Sequence, residues 1–257
     1  MIGTGGAGPI LQPDASSRGF LAQSVDPFRY DGQPNQADEV VGLLSSMIPP
    51  NARVLDVGCG TGSVSAHIVA NTGARLVGVE PDPHRAALAR ERGLDVHAAL
   101  LTEDLAARIG PFDIVMFADV LEHLADPYAL LCIAKMALAP NGAVVASVPN
   151  VAHWSVRSDL LRGKFEYRKW GIMDATHLRW FTSSNLRFLF ASAGFTVDAE
   201  RVTAGVDLDC YSERLPWRRM SRKRRASIVR AGIKLWPQLF GCQLVVKATP
   251  NERGPRS

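Results

Sequence analysis

The chain has 257 residues, 47% of them hydrophobic and 21% charged, with a formal net charge of +4. This length allows one large α/β domain with additions, and the composition is that of a soluble globular protein. No apolar run approaches the ~20 residues of a membrane span. The first residues lack the basic start and apolar core of a signal peptide. Four cysteines without CxxC spacing predict free thiols, and we therefore expect a cytoplasmic protein.

The first 35 residues are predicted to form a flexible segment, because Gly, Pro and Ser dominate its first half. Within it, Phe28 and Tyr30 either pack against the domain or form a flap over a ligand pocket, with Tyr30 contacting the acceptor. The main domain is expected over residues 36–250, followed by a short tail at 251–257. A helical apolar stripe from Ala37 to Leu44 leads into the first strand.

A glycine cluster between a strand and a helix organises the chain. An apolar, β-branched run starting at Val54 predicts a buried strand, and a periodic run after Ser63 predicts a helix. Glycines in such a turn allow positive φ and close approach of a ligand, while the first N–H groups of the helix point at the same place. We expect a polar ligand to lie across this turn, which reads Asp56-Val57-Gly58-Cys59-Gly60-Thr61-Gly62.

The glycine spacing separates this turn from two common nucleotide sites. It lacks the Gly-Lys-Ser/Thr of a P-loop, and its G-x-G-x-G pattern differs from the G-x-G-x-x-G of dinucleotide-binding dehydrogenases. With Asp56 ahead of it, the turn resembles the first motif of class I S-adenosylmethionine-dependent methyltransferases. The resemblance implies S-adenosylmethionine as cofactor, bound by Asp56, Gly58, Cys59, Gly60, Thr61 and Gly62. The rival class is a protein of this fold that binds cofactor without turnover.

Glu80 ends a second predicted strand about 20 residues past the glycines, and an acid there suits a ribose diol. The resemblance assigns the ribose to Glu80, with Pro81 beside it, whereas Asp82 is better placed to cap the next helix. The family often binds adenine with an Asp after its third strand, but here that position falls near Leu101 and Thr102. Backbone groups or a shifted acid are the alternatives.

Strands alternate with helices as far as the fifth strand, which predicts a doubly wound, mostly parallel sheet of Rossmann-like type. Ligands in such sheets bind outside the carboxyl ends of the strands. This rule gathers Gly58, Glu80, Asp119 and Asn150 around one cleft. The resemblance adds a seventh, antiparallel strand near Leu244. Further cofactor contacts are predicted at Asp119, Val120 and His123.

An insert over about 150–182 carries Trp, His, Arg and Tyr just past the fifth strand, where an acceptor would lie. It resembles methyltransferases of bacterial polysaccharide and cell-surface glycan gene clusters, and also a methionine-biosynthesis protein of the same fold. The resemblance implies a small-molecule or lipid-linked glycan acceptor. Besides Tyr30, the predicted acceptor contacts are Asn150, Trp154, Arg157 and Arg179.

Methyl transfer to a hydroxyl needs alignment and a base, and histidine suits that role near neutral pH. His153 is the first choice because it closely follows the fifth strand, and His177 is the second. His123 is expected to be structural, and Asp119 either holds the methionine amino group or serves as a base. A small-metabolite carboxyl- or N-methyltransferase is the alternative. No His, Cys or Asp grouping has metal-ligand spacing, so no obligatory metal is predicted.

A basic segment over about 213–236 precedes the last strand and interleaves Arg and Lys with apolar residues. It predicts a solvated helix covering the sheet, an interfacial helix on anionic lipid, or a phosphate-binding patch. A peripheral membrane contact would bring the enzyme to a lipid-linked acceptor. Nucleic acid ranks last because no nucleic-acid-binding motif accompanies the charges.

Overall fold

The structure, a computed structural model, describes residues 36–251. The predicted flap with Phe28 and Tyr30 lies outside the described residues. Seven strands form one sheet in the order β3-β2-β1-β4-β5-β7-β6. The strands are β1 Arg53–Val57, β2 Arg75–Val79, β3 Asp95–His97, β4 Phe112–Ala118, β5 Leu138–Pro149, β6 Phe195–Val202 and β7 Gln243–Pro250.

Helices connect the parallel strands and cover both faces of the sheet. They are α1 Val40–Met47, α2 Ser63–Thr72, α3 Pro83–Glu91, α4 Glu103–Ile109, α5 Pro127–Met136, α6 Trp154–Leu161, α7 Ser183–Ser192, α8 Asp209–Ser212, α9 Arg222–Leu235 and α10 Pro237–Phe240. Short 3₁₀ helices occupy Leu121–His123 and Trp217–Arg219. The predicted doubly wound fold is confirmed.

The central strand β1 pairs in parallel with β2 on one side and β4 on the other. Its apolar residues Val54, Leu55 and Val57 are buried, as a strand covered on both faces requires. The last strand, β7, inserts antiparallel between β5 and β6. Because β7 runs the other way, its first residue, Gln243, lies at the edge where β1, β2 and β4 end.

The insert and the basic segment fold together rather than separately. Tyr211 of α8 is fully buried and packs with Val229 and Ala226 of α9, while its ring contacts Trp154 at the start of α6. The basic segment is therefore helical as predicted, but it covers the insert through this cluster. None of the helices formed by residues 36–251 is both long and apolar enough to cross a bilayer. All four cysteines are free thiols.

Candidate functional site

A cleft of about 740 Å³ opens at the carboxyl edge of the sheet. One half is lined by the glycine turn after β1, the end of β2 and the end of β4. The other half is lined by the insert and by the segment that follows β6. We call these the cofactor half and the acceptor half.

The three glycines of the turn all have positive φ: +74° at Gly58, +56° at Gly60 and +78° at Gly62. A Cβ at Gly58 would lie 2.9 Å from a methyl group of Val120, so the ends of β1 and β4 approach closely only with glycine there. Gly62 precedes α2 in a left-handed conformation. The first turn of α2 therefore faces the cleft, where its N–H groups favour an anionic or hydroxylated ligand.

Glu80 lies at the base of the cofactor half and is almost completely buried. Its Oε2 accepts a hydrogen bond from the N–H of Gly60 at 2.9 Å, and its Oε1 accepts one from the N–H of Asp82 at 2.9 Å. Asp82 itself caps α3, as predicted, by accepting from the N–H groups of His84 and Arg85. Each Glu80 oxygen keeps a second lone pair, which suits a ribose diol beside the turn.

Asp56 lies behind the turn rather than in the cleft. Its Oδ2 accepts a hydrogen bond of 2.5 Å from the Ser65 hydroxyl, and burial, reinforced by Glu80, raises its pKa to about 7. Its role is therefore to support the turn from below. Leu101 packs in the core, and the Thr102 hydroxyl caps α4 by accepting from the N–H of Leu105. Neither residue lines the cleft, so their predicted contact with adenine is not supported.

Asp119 directly follows β4 in a left-handed conformation, with φ of +54°, and lines the cleft. Its Oδ1 accepts from the Ser147 hydroxyl at 2.7 Å, and Gln243 Nε2 lies 2.9 Å from both carboxylate oxygens. Burial raises the pKa of Asp119, and these two donors oppose that shift. The carboxylate is thus fixed in the cleft, where a cationic ligand group would lie.

His153, the first-choice base, does not reach the cleft. Its ring is fully buried, with Nδ1 2.8 Å from the Ser155 hydroxyl and Nε2 3.1 Å from the Tyr211 hydroxyl. Burial, with a smaller contribution from Arg214, lowers its pKa to about 3. A ring whose two nitrogens are engaged, and which stays neutral at physiological pH, is a structural member of the insert. We therefore correct the assignment of His153.

The predicted acceptor contacts in the insert also take structural roles. Asn150 is buried and donates to the carbonyls of Gln238 and Gly241, and Trp154 donates to the Tyr211 hydroxyl. Arg157 bonds the Ala152 carbonyl and Arg179 bonds the Ala125 carbonyl. None of these four side chains lines the cleft.

The helical phase of α6 explains this outcome, because residues spaced three or four apart share a face. Ser155, Val156 and Asp159 line the cleft, whereas Trp154 and Arg157 point elsewhere. A residue count places α6 near the acceptor, but only the packed helix shows which of its faces is turned inward.

His177, the second-choice base, does line the cleft, and two other residues join it. Its ring meets that of His123 edge to face, with centroids 4.9 Å apart. Glu122 lies beside them, 1% exposed, and burial raises its pKa well above the usual value. Ligand atoms of the three side chains lie within 4.8 Å of one another, close enough to hold a metal ion.

The remaining wall of the acceptor half has an apolar part and a charged part. The apolar part consists of Val156, Trp170, Ile172, Met173 and Leu208. In the charged part, Arg214 Nη2 contacts Asp159 at 2.6 Å and Arg168 Nη1 lies 3.8 Å from Asp209. The segment after β6 and the first residue of β7 were missed by sequence reasoning, which searched for site residues in the N-terminal segment, at the ends of the parallel strands and in the insert.

Comparisons with known proteins agree with this architecture. A family model described as a methyltransferase domain matches residues 30–200. A ubiquinone biosynthesis O-methyltransferase of Cereibacter sphaeroides (strain ATCC 17025 / ATH 2.4.3) is 39% identical over 133 residues, covering 49% of this chain and 53% of that protein. The chain spans about half the length of the curated relatives it matches.

Two solved structures share the fold at low sequence identity. A methyltransferase from Thermotoga maritima has a TM-score of 0.55 at 18% identity, covering 91% of this chain and 93% of that one. The N1-methyltransferase of 1,6-didemethyltoxoflavin from Burkholderia thailandensis, solved with S-adenosylhomocysteine, has a TM-score of 0.50 at 19% identity, covering 84% and 80%. The family model covers more than half of the chain, which therefore belongs to the methyltransferase-domain family of S-adenosylmethionine-dependent enzymes.

Proposed function

We propose that the protein transfers the methyl group of S-adenosylmethionine to a hydroxyl oxygen of a small molecule. The observation that carries this proposal is the polar cluster of Glu122, His123 and His177 on the cleft wall, whose first member follows Asp119 by three residues. A hydroxyl, unlike an amine already neutral, must lose its proton during transfer, and this cluster supplies the groups that can assist that loss. His177 thus replaces His153 as the residue that activates the acceptor.

The cofactor half holds S-adenosylmethionine through groups of this chain. The glycine turn and the start of α2 face the cleft, Glu80 reaches the ribose, and Asp119 faces the methionine amino group. When bound, the cofactor supplies an electrophilic methyl group whose thioether leaving group needs no acid. Alignment of acceptor oxygen, methyl carbon and sulfur then contributes roughly 7–11 kcal/mol.

The apolar wall supports an acceptor with an apolar or aromatic face beside its hydroxyl. Trp170, Ile172 and Leu208 line this wall, and such surfaces bind rings by area burial. The relative from Cereibacter sphaeroides is named as an O-methyltransferase, which supports oxygen as the methylated atom. The sugar or glycan acceptor implied by the insert stays a second candidate. It is favoured by the Arg168–Asp209 and Arg214–Asp159 pairs, which can donate to and accept from vicinal hydroxyls.

A screen with methyl-labelled S-adenosylmethionine tests the proposal. Phenols, ortho-diphenols, free and lipid-linked sugars, amines and carboxylates are offered separately, and products are identified as ethers, methylamines or esters. Ether formation is expected. Ester or methylamine formation alone would contradict O-methylation, and cofactor binding without transfer to any class would identify a non-catalytic binding protein.

His177→Gln is expected to lower kcat by about 10²-fold or more while the affinity for S-adenosylhomocysteine, measured by calorimetry, stays within about twofold. His153→Gln is the matched comparison, because it alters the other candidate base. That variant should unfold at lower temperature through loss of its bonds to Ser155 and Tyr211, yet keep most of its kcat per folded molecule. The reverse pattern would restore His153 as the activating residue.

A further inference from the structure

We propose that Glu122, His123 and His177 form a binding site for a divalent transition-metal ion such as Zn²⁺ at the acceptor half of the cleft. This deepens the proposed function and rests on it for the role of the ion, although binding itself can be measured without any acceptor. It departs from the sequence-based expectation that no metal is obligatory.

The geometry of the three side chains is the first support. Their ligand atoms lie within 4.8 Å of one another. Donors around one ion, each bonded at about 2.0–2.2 Å, are separated by roughly 3–4 Å, so bringing the ligand atoms closer by about 1–2 Å completes the site. Two of the three side chains, those of Glu122 and His177, are buried, so packing already fixes their orientation toward the cluster.

The orientation of the two imidazoles is the second support. His123 Nδ1 lies 3.2 Å from the carbonyl oxygen of Thr176, and His177 Nδ1 lies 3.2 Å from that of Ile172. A carbonyl oxygen only accepts, so these two contacts are hydrogen bonds in the tautomer whose Nδ1 carries the hydrogen, and in that tautomer Nε2 is the nitrogen that can bind a metal ion. Histidines that bind metals are commonly fixed by this kind of bond from the other ring nitrogen.

The state of Glu122 is the third support. Its side chain is 1% exposed, and within residues 36–251 neither of its carboxylate oxygens has a hydrogen-bond partner. A buried carboxylate without donors is costly, and a bound cation would satisfy it. The backbone around it is fixed as well, because the Glu122 carbonyl accepts from the N–H groups of Leu178 and Arg179 at 2.8 and 3.0 Å.

The donor set selects the class of ion. Two imidazoles and one carboxylate suit Zn²⁺, Mn²⁺, Co²⁺ or Fe²⁺, whereas Mg²⁺ and Ca²⁺ prefer sites made of oxygen atoms. Three protein ligands leave positions open, and the three residues all line the cleft. An acceptor hydroxyl could fill an open position.

A cation at this place would lower the pKa of the acceptor hydroxyl, as it does for bound water. The hydroxyl proton leaves to solvent, and the oxygen lone pair forms the new bond to the methyl carbon. The carbon–sulfur bond breaks with its electron pair going to sulfur, giving an ether and S-adenosylhomocysteine. Charge and atoms balance without any further reactant.

Cobalt titration tests the site on the purified 257-residue chain after treatment with a chelator. Co²⁺ serves as the probe because its visible absorption reports imidazole and carboxylate ligation, and Zn²⁺ then displaces it. We expect one Co²⁺ per chain. Glu122→Gln and His177→Gln should each weaken binding by about tenfold or more, whereas His84→Gln, which alters an exposed histidine of α3, should bind as wild type.

Three results would overturn the site: no stoichiometric Co²⁺ binding, unchanged binding in both ligand variants, or loss of binding in His84→Gln. Circular dichroism of each variant excludes unfolding as the cause of a loss. If no ion binds and ethers still form after chelation, the metal site fails while the proposed O-methylation stands. If the ion binds as expected but no hydroxyl is methylated, the proposed function fails while the metal site stands.

Discussion

The two halves of the cleft are built by different means. The cofactor half uses backbone: three glycines with positive φ, the start of α2, and Glu80, which bonds two main-chain N–H groups. The acceptor half uses side chains from the insert, from the segment after β6 and from β7, all positioned by tertiary packing. Short local motifs at strand ends therefore encode the cofactor half, whereas the acceptor half depends on how distant segments pack.

The support beneath the glycine turn can be tested first. Asp56→Asn keeps an oxygen that accepts from Ser65 but removes the titratable group. Because burial raises the folded-state pKa of Asp56 from 3.8 to about 7, its contribution to stability is fully present below about pH 4 and is lost as the pH rises toward 7. The variant should therefore become the more stable protein as the pH rises, by an amount of order 4 kcal/mol above pH 7.

Urea unfolding of both proteins between pH 4 and pH 8.5 measures this difference. Asp95→Asn, at the exposed start of β3, is the control and should run parallel to wild type. If the free energy of unfolding of Asp56→Asn changes with pH as it does in wild type, burial does not raise the pKa of Asp56.

The backbone character of the cofactor half can be tested with a pair of glycines. Gly60 and Gly93 have φ of +56° and +83°, and a Cβ at either would have no heavy atom within 4 Å. An alanine at each position therefore meets the same left-handed strain, about 1–2 kcal/mol, but only Gly60 lines the cleft. The methyl group of Gly60→Ala would lie at the part of the cleft where we propose that the cofactor binds.

Gly60→Ala should weaken the binding of S-adenosylhomocysteine by roughly 10–100-fold, whereas Gly93→Ala should leave it unchanged. Calorimetry gives both affinities, and thermal unfolding should show similar stability losses for the two variants. Equal affinities would mean that the ligand does not approach the turn, and the comparison between the halves would lose its basis.

The same contrast explains what could be predicted from sequence. The doubly wound sheet, the antiparallel last strand and the cap at Asp82 follow from local periodicity, turn chemistry and a family motif, so they could be predicted. His153 and His177 illustrate the limit, because both follow β5 and both are histidines. Only packing shows that the first is enclosed by Ser155 and Tyr211 while the second faces the cleft.

The metal-ligand cluster was missed for a related reason. Glu122 and His123 are adjacent in sequence, but His177 comes from a distant loop. Hydrogen bonds from the N–H groups of Leu178 and Arg179 to the Glu122 carbonyl hold that loop against Glu122. The spacing of residues within one motif reveals metal ligands that share a helix or loop, but it cannot reveal a ligand from a distant loop. A sequence search could instead look for a Glu-His dipeptide just after a strand together with a later histidine.

The smallest expected effect concerns the outer surface of the acceptor half, where the basic segment lies. Several of its arginines are tied to the protein: Arg222 pairs with Asp207 at 2.7 Å, and Arg230 pairs with Asp38 at 2.6 Å. Arg225 donates to the Tyr211 carbonyl at 2.6 Å. Replacing these residues would loosen α9, so they are poor probes of a membrane contact.

Lys223 and Arg224 are exposed on α9 and serve as the probes, together with the exposed Trp236 that follows the helix. We propose a weak, salt-sensitive contact with anionic lipid, in which each basic residue contributes about 1 kcal/mol, or about fivefold in the partition coefficient. Flotation with anionic and neutral vesicles at low and high salt measures this contact.

The double variant Lys223→Ser/Arg224→Ser should lose most of its binding to anionic vesicles at low salt. Arg75→Ser/Arg108→Ser, which removes two exposed charges far from the cleft at the amino edge of the sheet, should not. Equal loss in both variants would assign the binding to net charge alone, and no flotation under any condition would leave α9 as a solvated cover of the acceptor half.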